Sequence, residues 1–179
     1  MNKKYICPCG LVCTDCLFYK PEIYESAEKL RDIIKDSQLD VFLTLISESQ
    51  NWKMIADHLN GEQSDFEKYF SAFTNFKQFM NTLEALIQLQ CKSTCRETGG
   101  CSVGGKVHKC EAAKCVASKG YDGCWECPER NQCEKLFFVK KIYGATIGET
   151  FSSMKSEGSE GVSPYGNNYY AWQRNKKEN

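Results

Sequence analysis

Apolar side chains recur at helical spacing through residues 21–90. A first helix is predicted to begin at Pro21, because proline suits the first helical position. Glu22 follows it and favours the positive end of the helix dipole. The residues expected on one buried face are Ile23, Ala27, Leu30 and Ile34.

A second helical stretch is predicted over Gln38–Asn60, with a possible break near Ser49–Asn51. Gly61 follows this stretch and suits a helix end, because glycine adopts the backbone conformations that terminate helices. The aligned apolar residues in the second half of the stretch are Trp52, Ile55 and Leu59.

The third predicted helix, over about Asp65–Gln90, carries an aromatic stripe. Ser64 and Glu67 have the spacing of a capping box at its start. Two sets of residues repeat every seven positions: Phe66, Phe73, Met80 and Ile87, with Tyr69, Phe76 and Leu83 between them. We interpret the stripe as core packing against the other helices, and a seam for a partner helix or a dimer remains the alternative.

Near the C-terminus the pattern predicts a short helix and then a polar tail. The helix is expected over Lys135–Ile142. From Ser152 onward serine, glycine, asparagine and lysine dominate, which favours a loosely ordered tail. The alternative is that the tail packs back onto the rest of the protein through its four aromatic residues, Tyr165, Tyr169, Tyr170 and Trp172.

Overall composition is that of an ordinary globular protein except for cysteine. The chain has 179 residues, 23 basic and 23 acidic side chains, and 12 cysteines. The longest apolar run, Leu39–Ile46, is too short to span a membrane, and the N-terminal residues lack the apolar core of a secretory signal. We therefore expect a cytoplasmic protein, in which a framework of disulfides is rare.

The cysteines fall into two groups separated by a long cysteine-free segment. The first group is Cys7, Cys9, Cys13 and Cys16, and the second is Cys91, Cys95, Cys101, Cys110, Cys115, Cys124, Cys127 and Cys133. Pairs with two to four intervening residues let two thiolates face one ion, as in structural zinc sites. Glycines beside the pairs supply tight turns. The spacing predicts that all twelve are metal ligands for two or three zinc ions.

Folding energetics strengthen this prediction for residues 91–133. The segment has few large apolar residues, so burial alone does not offset ordering entropy of about 1–2 kcal/mol per residue. A structural zinc site provides apparent binding energy on the order of 10–16 kcal/mol, which becomes folding energy. We expect this segment to be largely unfolded without metal.

Several other chemistries are compatible with parts of the pattern. Cys9, Cys13 and Cys16 have the spacing that holds an iron–sulfur cluster in radical enzymes, so an iron–sulfur protein in electron transfer or redox sensing is the alternative function. Cys-x-x-Cys pairs also occur in redox dithiols, but no thioredoxin-like strand and helix pattern surrounds them. His108, two residues before Cys110, is a candidate substitute ligand.

No catalytic arrangement is evident, so we expect a binding or regulatory protein rather than an enzyme. The phosphate-loop spacing from Gly100 to Lys106 is followed by Val107 where serine or threonine is required. Charge in residues 91–143 comes close to zero once thiolates and zinc are counted, so nucleic acid and membrane partners are not expected. A protein partner remains possible, and the sequence leaves the oligomeric state open.

Two segments resemble one family. The first is the run Cys9–Cys16 followed by Phe18 and Tyr19, and the second runs from Lys114 through Cys127 to Leu136. Both are similar to domain-of-unknown-function family 3795, small cysteine-rich prokaryotic proteins described as zinc-binding. The resemblance implies metal binding at the shared cysteines and implies no activity, and Cys7 looks like an addition to the family pattern.

The combined prediction is a mainly α single domain, residues 1–179, with little or no β structure. It comprises an N-terminal cysteine knuckle (1–20), a helical insert (21–90), a cysteine-rich metal-binding module (91–136), and a short helix with a polar tail (137–179). The two cysteine-rich segments are expected to pack together, with the N-terminal group sharing a site with the later cysteines.

Overall fold

The computed structural model describes residues 1–48 and 51–174 and separates them into two compact units. The cysteine unit consists of Met1–Lys20 together with the chain from Leu89 onward. The helical unit is Pro21–Gln88. Every cysteine lies in the cysteine unit. The single-domain boundaries proposed from the sequence stay a prediction.

The helical unit is built from short amphipathic helices. They are α1 (Pro21–Asp36), α2 (Leu39–Glu48), α3 (Trp52–His58), α4 (Gln63–Phe70), the 3-10 turn Ser71–Phe73 and α5 (Phe76–Gln88). The break predicted near Ser49–Asn51 falls largely on residues 49 and 50, which lie outside the described residues.

The core of the helical unit is formed mainly by α1, α2 and α5. Its buried members are Ala27, Ile34, Leu43, Phe76, Met80 and Leu83. The aromatic stripe contributes a run of ring contacts, with Phe73 and Phe76 centroids 5.8 Å apart. Core packing is confirmed for Phe73, Phe76, Met80, Leu83 and Ile87 of the stripe, whereas Tyr69 is 65% exposed. Ile23 and Leu30, placed on the buried face of α1 by their spacing, are 38% and 45% exposed.

The predicted continuous third helix is wrong in two respects. The chain breaks at Ser71–Phe73 into α4 and α5, and the Thr74 hydroxyl donates to the Ser71 carbonyl at 2.8 Å. Such side-chain bonds compete with the helical backbone pattern. The capping box at Ser64 is also not formed, because α4 begins at Gln63 and Ser64 lies inside it.

The cysteine unit contains shorter elements joined by tight turns. Its helices are α6 (Cys95–Thr98), α7 (Glu111–Ser118), α8 (Phe137–Tyr143), α9 (Thr146–Ser156) and α10 (Ala171–Arg174). Its strands are β1 (Gly100–Cys101) and β2 (His108–Lys109). The strands pair antiparallel, with Cys101 opposite His108. Its 3-10 turns are Lys3–Tyr5, Cys13–Asp15, Leu17–Tyr19, Val103–Gly105, Cys124–Glu126, Arg130–Gln132, Glu134–Leu136, Gly158–Gly161 and Gly166–Asn168.

The mainly α fold with little β is confirmed, and so is the packing of the two cysteine-rich segments. The Cys124 amide donates to the Pro8 carbonyl at 2.7 Å, and the Cys91 amide donates to the Phe18 carbonyl at the same distance. Among the residues described, no helix is both long and apolar enough to cross a membrane.

The tail folds back onto the cysteine-rich segments, so the prediction of a loosely ordered tail from Ser152 is wrong for the residues described. Tyr169 and Tyr170 are only 1% and 3% exposed. Their rings pack against Tyr143 of α8, each with a centroid distance of 5.0 Å. Burial of these large side chains stabilises an otherwise polar segment. Residues 175–179 lie outside the described part.

Gly10 is a point where the fold depends on the absence of a side chain. Its φ is +87°, and a Cβ there would lie 2.6 Å from the Phe151 ring of α9. The left-handed conformation alone costs other residues about 1–2 kcal/mol. We expect Gly10→Ala to lower the free energy of unfolding by on the order of 1–3 kcal/mol in urea titrations.

Gly148→Ala is the matched control. Gly148 lies inside α9, and a Cβ there meets no atom within 4 Å. Replacing a helical glycine by alanine stabilises by about 0.5–1 kcal/mol. Equal destabilisation by the two substitutions would contradict the steric role of Gly10.

Candidate metal centre

The N-terminal loop turns three cysteines inward. Ile6 and Val12 form an antiparallel bridge, which closes the loop between them. Inside it the Cys7 amide donates to the Leu11 carbonyl at 2.7 Å. The 3-10 turn Cys13–Asp15 follows directly. As a result Cys7, Cys9 and Cys13 are all buried.

A fourth cysteine comes from the later segment through the start of α6. Thr94 caps this helix and is 1% exposed, and Glu97 completes a capping box with it. The neighbouring Arg96 fixes the helix to the N-terminal loop, because its Nε donates to the Ile6 carbonyl at 2.6 Å. The cap and the arginine together hold Cys95 against the loop cysteines.

Cys7, Cys13 and Cys95 form the tightest group of candidate ligands. Their Sγ atoms all lie within 4.8 Å of one another, and those of Cys7 and Cys13 are 3.5 Å apart. A disulfide would require about 2.05 Å, and all twelve cysteines are free thiols. Two sulfurs bound tetrahedrally to one zinc at about 2.3 Å are separated by about 3.8 Å. The spacing therefore fits a shared ion.

Thiol ionisation within this group is strongly interdependent. The hydrogen bond with Cys13 raises the pKa of Cys7, and the same bond lowers the pKa of Cys13 to about 3. A hydrogen bond with Cys101 raises the pKa of Cys95. Buried thiolates this close repel one another, so protons remain shared among them unless a cation replaces those protons.

The group opens into a larger cavity of about 270 Å³. Eight cysteines line it: Cys7, Cys9, Cys13, Cys16, Cys91, Cys95, Cys101 and Cys110. Cys101 links the triple to the other members, because Cys95 and Cys91 beside it lower the pKa of its thiol to about 6. The remaining wall is largely apolar, with Phe18 and Tyr143 among its residues. The donor set is all sulfur, which suits zinc or iron–sulfur centres rather than hard cations.

Cys91 has oxygen partners in addition to sulfur ones. Its Sγ lies 2.9 Å from the Ser102 hydroxyl and donates to the Ser93 carbonyl at 3.2 Å. Cys110 occupies the N-cap position of α7 and reaches the same cavity. These two cysteines are thus near the centre without belonging to the close triple.

The C-terminal tail closes the other side of the N-terminal loop. The Tyr169 hydroxyl accepts from the Val12 amide at 2.9 Å, and the Tyr170 hydroxyl accepts from the Leu17 amide at 2.9 Å. The Tyr170 hydroxyl also lies 3.8 Å from the Cys16 sulfur. Buried Asp15 accepts from two tail amides, at 2.9 and 3.0 Å.

These anchoring roles were missing from the sequence interpretation. The tail tyrosines stood out as aromatic, but nothing in their spacing identified the amides of Val12 and Leu17 as partners. Asp15 lies between two cysteines, and its position gave a weak indication of an anchoring role. A carboxylate buried in a cysteine turn needs hydrogen-bond donors from elsewhere in the chain. Arg96 gave no signal at all.

His108 lines neither of the two cysteine cavities, although it pairs with Cys101 across the two strands. It is exposed in β2, and its Nε2 lies 3.0 Å from the Val103 carbonyl. The last four cysteines, Cys115, Cys124, Cys127 and Cys133, are brought together around a separate small cavity. The structure therefore divides the twelve predicted ligands into a group of eight and a group of four.

Comparison with known families gives one assignment. The family model described as "Protein of unknown function (DUF3795)" matches residues 5–138, which is more than half of the chain. The chain belongs to this family. The match includes both cysteine-rich segments and the intervening helices. No curated protein and no solved structure matches the chain.

Tyr169→Phe tests whether the tail supports the cysteine loop. Removing the hydroxyl leaves the buried Val12 amide without its partner, which costs about 1–3 kcal/mol. We expect that loss in the free energy of unfolding, measured by urea denaturation of the protein as purified. Tyr69→Phe is the control, because Tyr69 is 65% exposed. Its free energy of unfolding is expected to stay within about 0.5 kcal/mol of the wild-type value. Equal stability of both variants would contradict the anchoring role.

Proposed function

We propose that this member of the DUF3795 family is a zinc-binding protein in which the metal is structural and holds two distant chain segments together. The observation that supports it most directly is the approach of the Cys7, Cys13 and Cys95 sulfurs to within 4.8 Å of one another. These sulfurs come from the N-terminal loop and from α6. One ion bound to all three would join those segments by metal–thiolate bonds.

Cys9 is the proposed fourth ligand of this ion. Cys13 and, after it, Cys9 raise the pKa of the Cys7 thiol, and Cys9 is buried like the other loop cysteines. Four thiolates complete the tetrahedral shell of a structural zinc site and leave no open position for substrate. The proposed role is therefore stabilisation rather than catalysis.

The other eight cysteines are proposed ligands of further ions, giving two or three in all. Cys16, Cys91, Cys101 and Cys110 share the large cavity with the first four. The lowered pKa of Cys101, caused first by Cys95 and also by Cys91, supports a second ion beside the first. Thiolates shared between neighbouring ions are compatible with this arrangement.

Metal binding accounts for the order of a segment with a small apolar core. About 10–16 kcal/mol of apparent binding energy per zinc offsets the ordering of several residues at about 1–2 kcal/mol each. Beyond that, we infer a cytoplasmic binding or regulatory module that acts on a protein partner through its exposed surface. The balanced charge of 23 basic and 23 acidic residues supports a protein partner over a nucleic acid.

An iron–sulfur centre is the second candidate, and one observation favours it. The cavity of about 270 Å³ is far larger than a single ion needs. Eight cysteines around it are enough ligands for a polynuclear centre used in electron transfer or redox sensing. The 3.5 Å contact of Cys7 and Cys13 supports zinc instead, because the cysteines of a four-iron cluster bind separate irons.

Elemental analysis of the full chain, purified without oxygen, separates these proposals. We expect about two or three zinc ions per chain and no visible absorption band. Cys7→Ser combined with Cys13→Ser is expected to remove at least one zinc. Thr14→Ala, an exposed change in the same turn, should leave the zinc content unchanged. Stoichiometric iron with visible thiolate-to-iron absorption bands would overturn the zinc proposal and support an iron–sulfur centre.

Metal removal provides a second test. After treatment with a strong chelator under reducing conditions, we expect residues 91–133 to lose protection from amide hydrogen exchange. Helices α1 and α5 should keep theirs, because their contacts bury apolar side chains without any cysteine. Unchanged protection of residues 91–133 in protein shown to be metal-free would contradict the structural role of the metal.

A further inference from the structure

The last four cysteines surround a cavity of their own. Cys115, Cys124, Cys127 and Cys133 line a space of about 20 Å³, enough for one atom the size of a water molecule. Within the part of the chain that the structure describes, no residue lines both this cavity and the large cysteine cavity. A space this small suits a single ion better than a multi-iron cluster.

Local structure brings these four cysteines to the wall of one small cavity. Cys124 begins a 3-10 turn, and the Cys127 amide donates back to the Cys124 carbonyl at 3.2 Å. Cys133 follows the next such turn, Arg130–Gln132, and Cys115 lies on α7. Turns with two or three residues between thiolates are the recurring geometry of structural zinc ligands.

The charges around the cavity match a bound metal tetrathiolate. Four thiolates and one divalent ion carry a net charge of −2, which favours nearby cations. Lys119, Arg130 and Lys135 all line the cavity. The Lys119 Nζ lies 3.9 Å from the Cys127 sulfur and also pairs with Glu129 at 3.2 Å.

We propose that Cys115, Cys124, Cys127 and Cys133 hold one zinc-class ion in a site separate from the large cysteine cavity, and that this ion is the more readily exchanged. The inference rests on the proposed zinc-binding function. Within the described residues only Cys7, Cys13 and Cys95 meet the 4.8 Å spacing, so the later thiols must rotate inward to bind. Three of the four are partly exposed, unlike the buried loop cysteines.

The primary test compares two double variants of the full chain by zinc analysis. Cys124→Ser with Cys127→Ser should lose one zinc and keep those of the large cavity. Cys7→Ser with Cys13→Ser should keep the ion of the late site. An unchanged zinc content in the first variant would overturn the separate site while leaving the proposed function intact. Metal-free wild-type protein would instead overturn the proposed function itself.

Wild-type protein provides a test that does not depend on how the variants fold. During zinc release to a colorimetric chelator, free thiols are alkylated at intervals and located by mass spectrometry. We expect a fast phase of one zinc, with labelling of Cys115, Cys124, Cys127 and Cys133 in the same phase. Labelling of Cys7 and Cys13 first, or a single phase for all twelve thiols, would overturn the proposal.

Lys119→Met tests whether a nearby cation stabilises the proposed metal tetrathiolate, and it leaves all four cysteine ligands in place. Loss of the cation beside Cys127 should speed the fast phase severalfold and leave the slow phase unchanged. Lys114→Met is the matched control, because Lys114 pairs with Glu111 and does not line the cavity. Equal effects of the two variants on the fast phase would count against the late site.

Discussion

Repulsion among buried thiolates is the constraint on which the cysteine unit depends. Cys7 and Cys13 lie 3.5 Å apart in an interior where both cannot be ionised at once without a compensating cation. Protons shared between the sulfurs reduce the repulsion only in part, whereas a bound divalent cation neutralises the thiolate charges directly. The backbone arrangement around the sulfurs, including the Ile6–Val12 bridge and the capped start of α6, keeps the thiols at that separation.

The two units are stabilised by different physical means. The helical unit buries aliphatic and aromatic side chains along α1, α2 and α5 and contains no cysteine. The cysteine unit instead combines very short elements, a buried core around Ile6, Trp125 and Leu136, and the thiol groups. This division explains why metal removal is expected to affect one unit and spare the other.

Sequence patterns predicted the elements that depend on local spacing. The start of α1 at Pro21 and the cysteine grouping both follow from residue type and position. The break at Ser71–Phe73 could not be predicted in this way, because the seven-residue apolar repeat runs through it and favours a continuous helix. The membership of Cys7 in the close triple and the anchoring by Tyr169 also escaped the pattern, since both depend on contacts between residues far apart in sequence.

The back-folded tail has a consequence for the order of assembly. Synthesis proceeds from the N-terminus, so the Cys7–Cys16 loop emerges before the tail. The hydroxyls that accept hydrogen bonds from the Val12 and Leu17 amides belong to Tyr169 and Tyr170 of that tail. Contacts of such long sequence separation form late, because the chain between them must first be closed into a loop. The loop cysteines are thus made well before the tail and are among the last to reach their final environment.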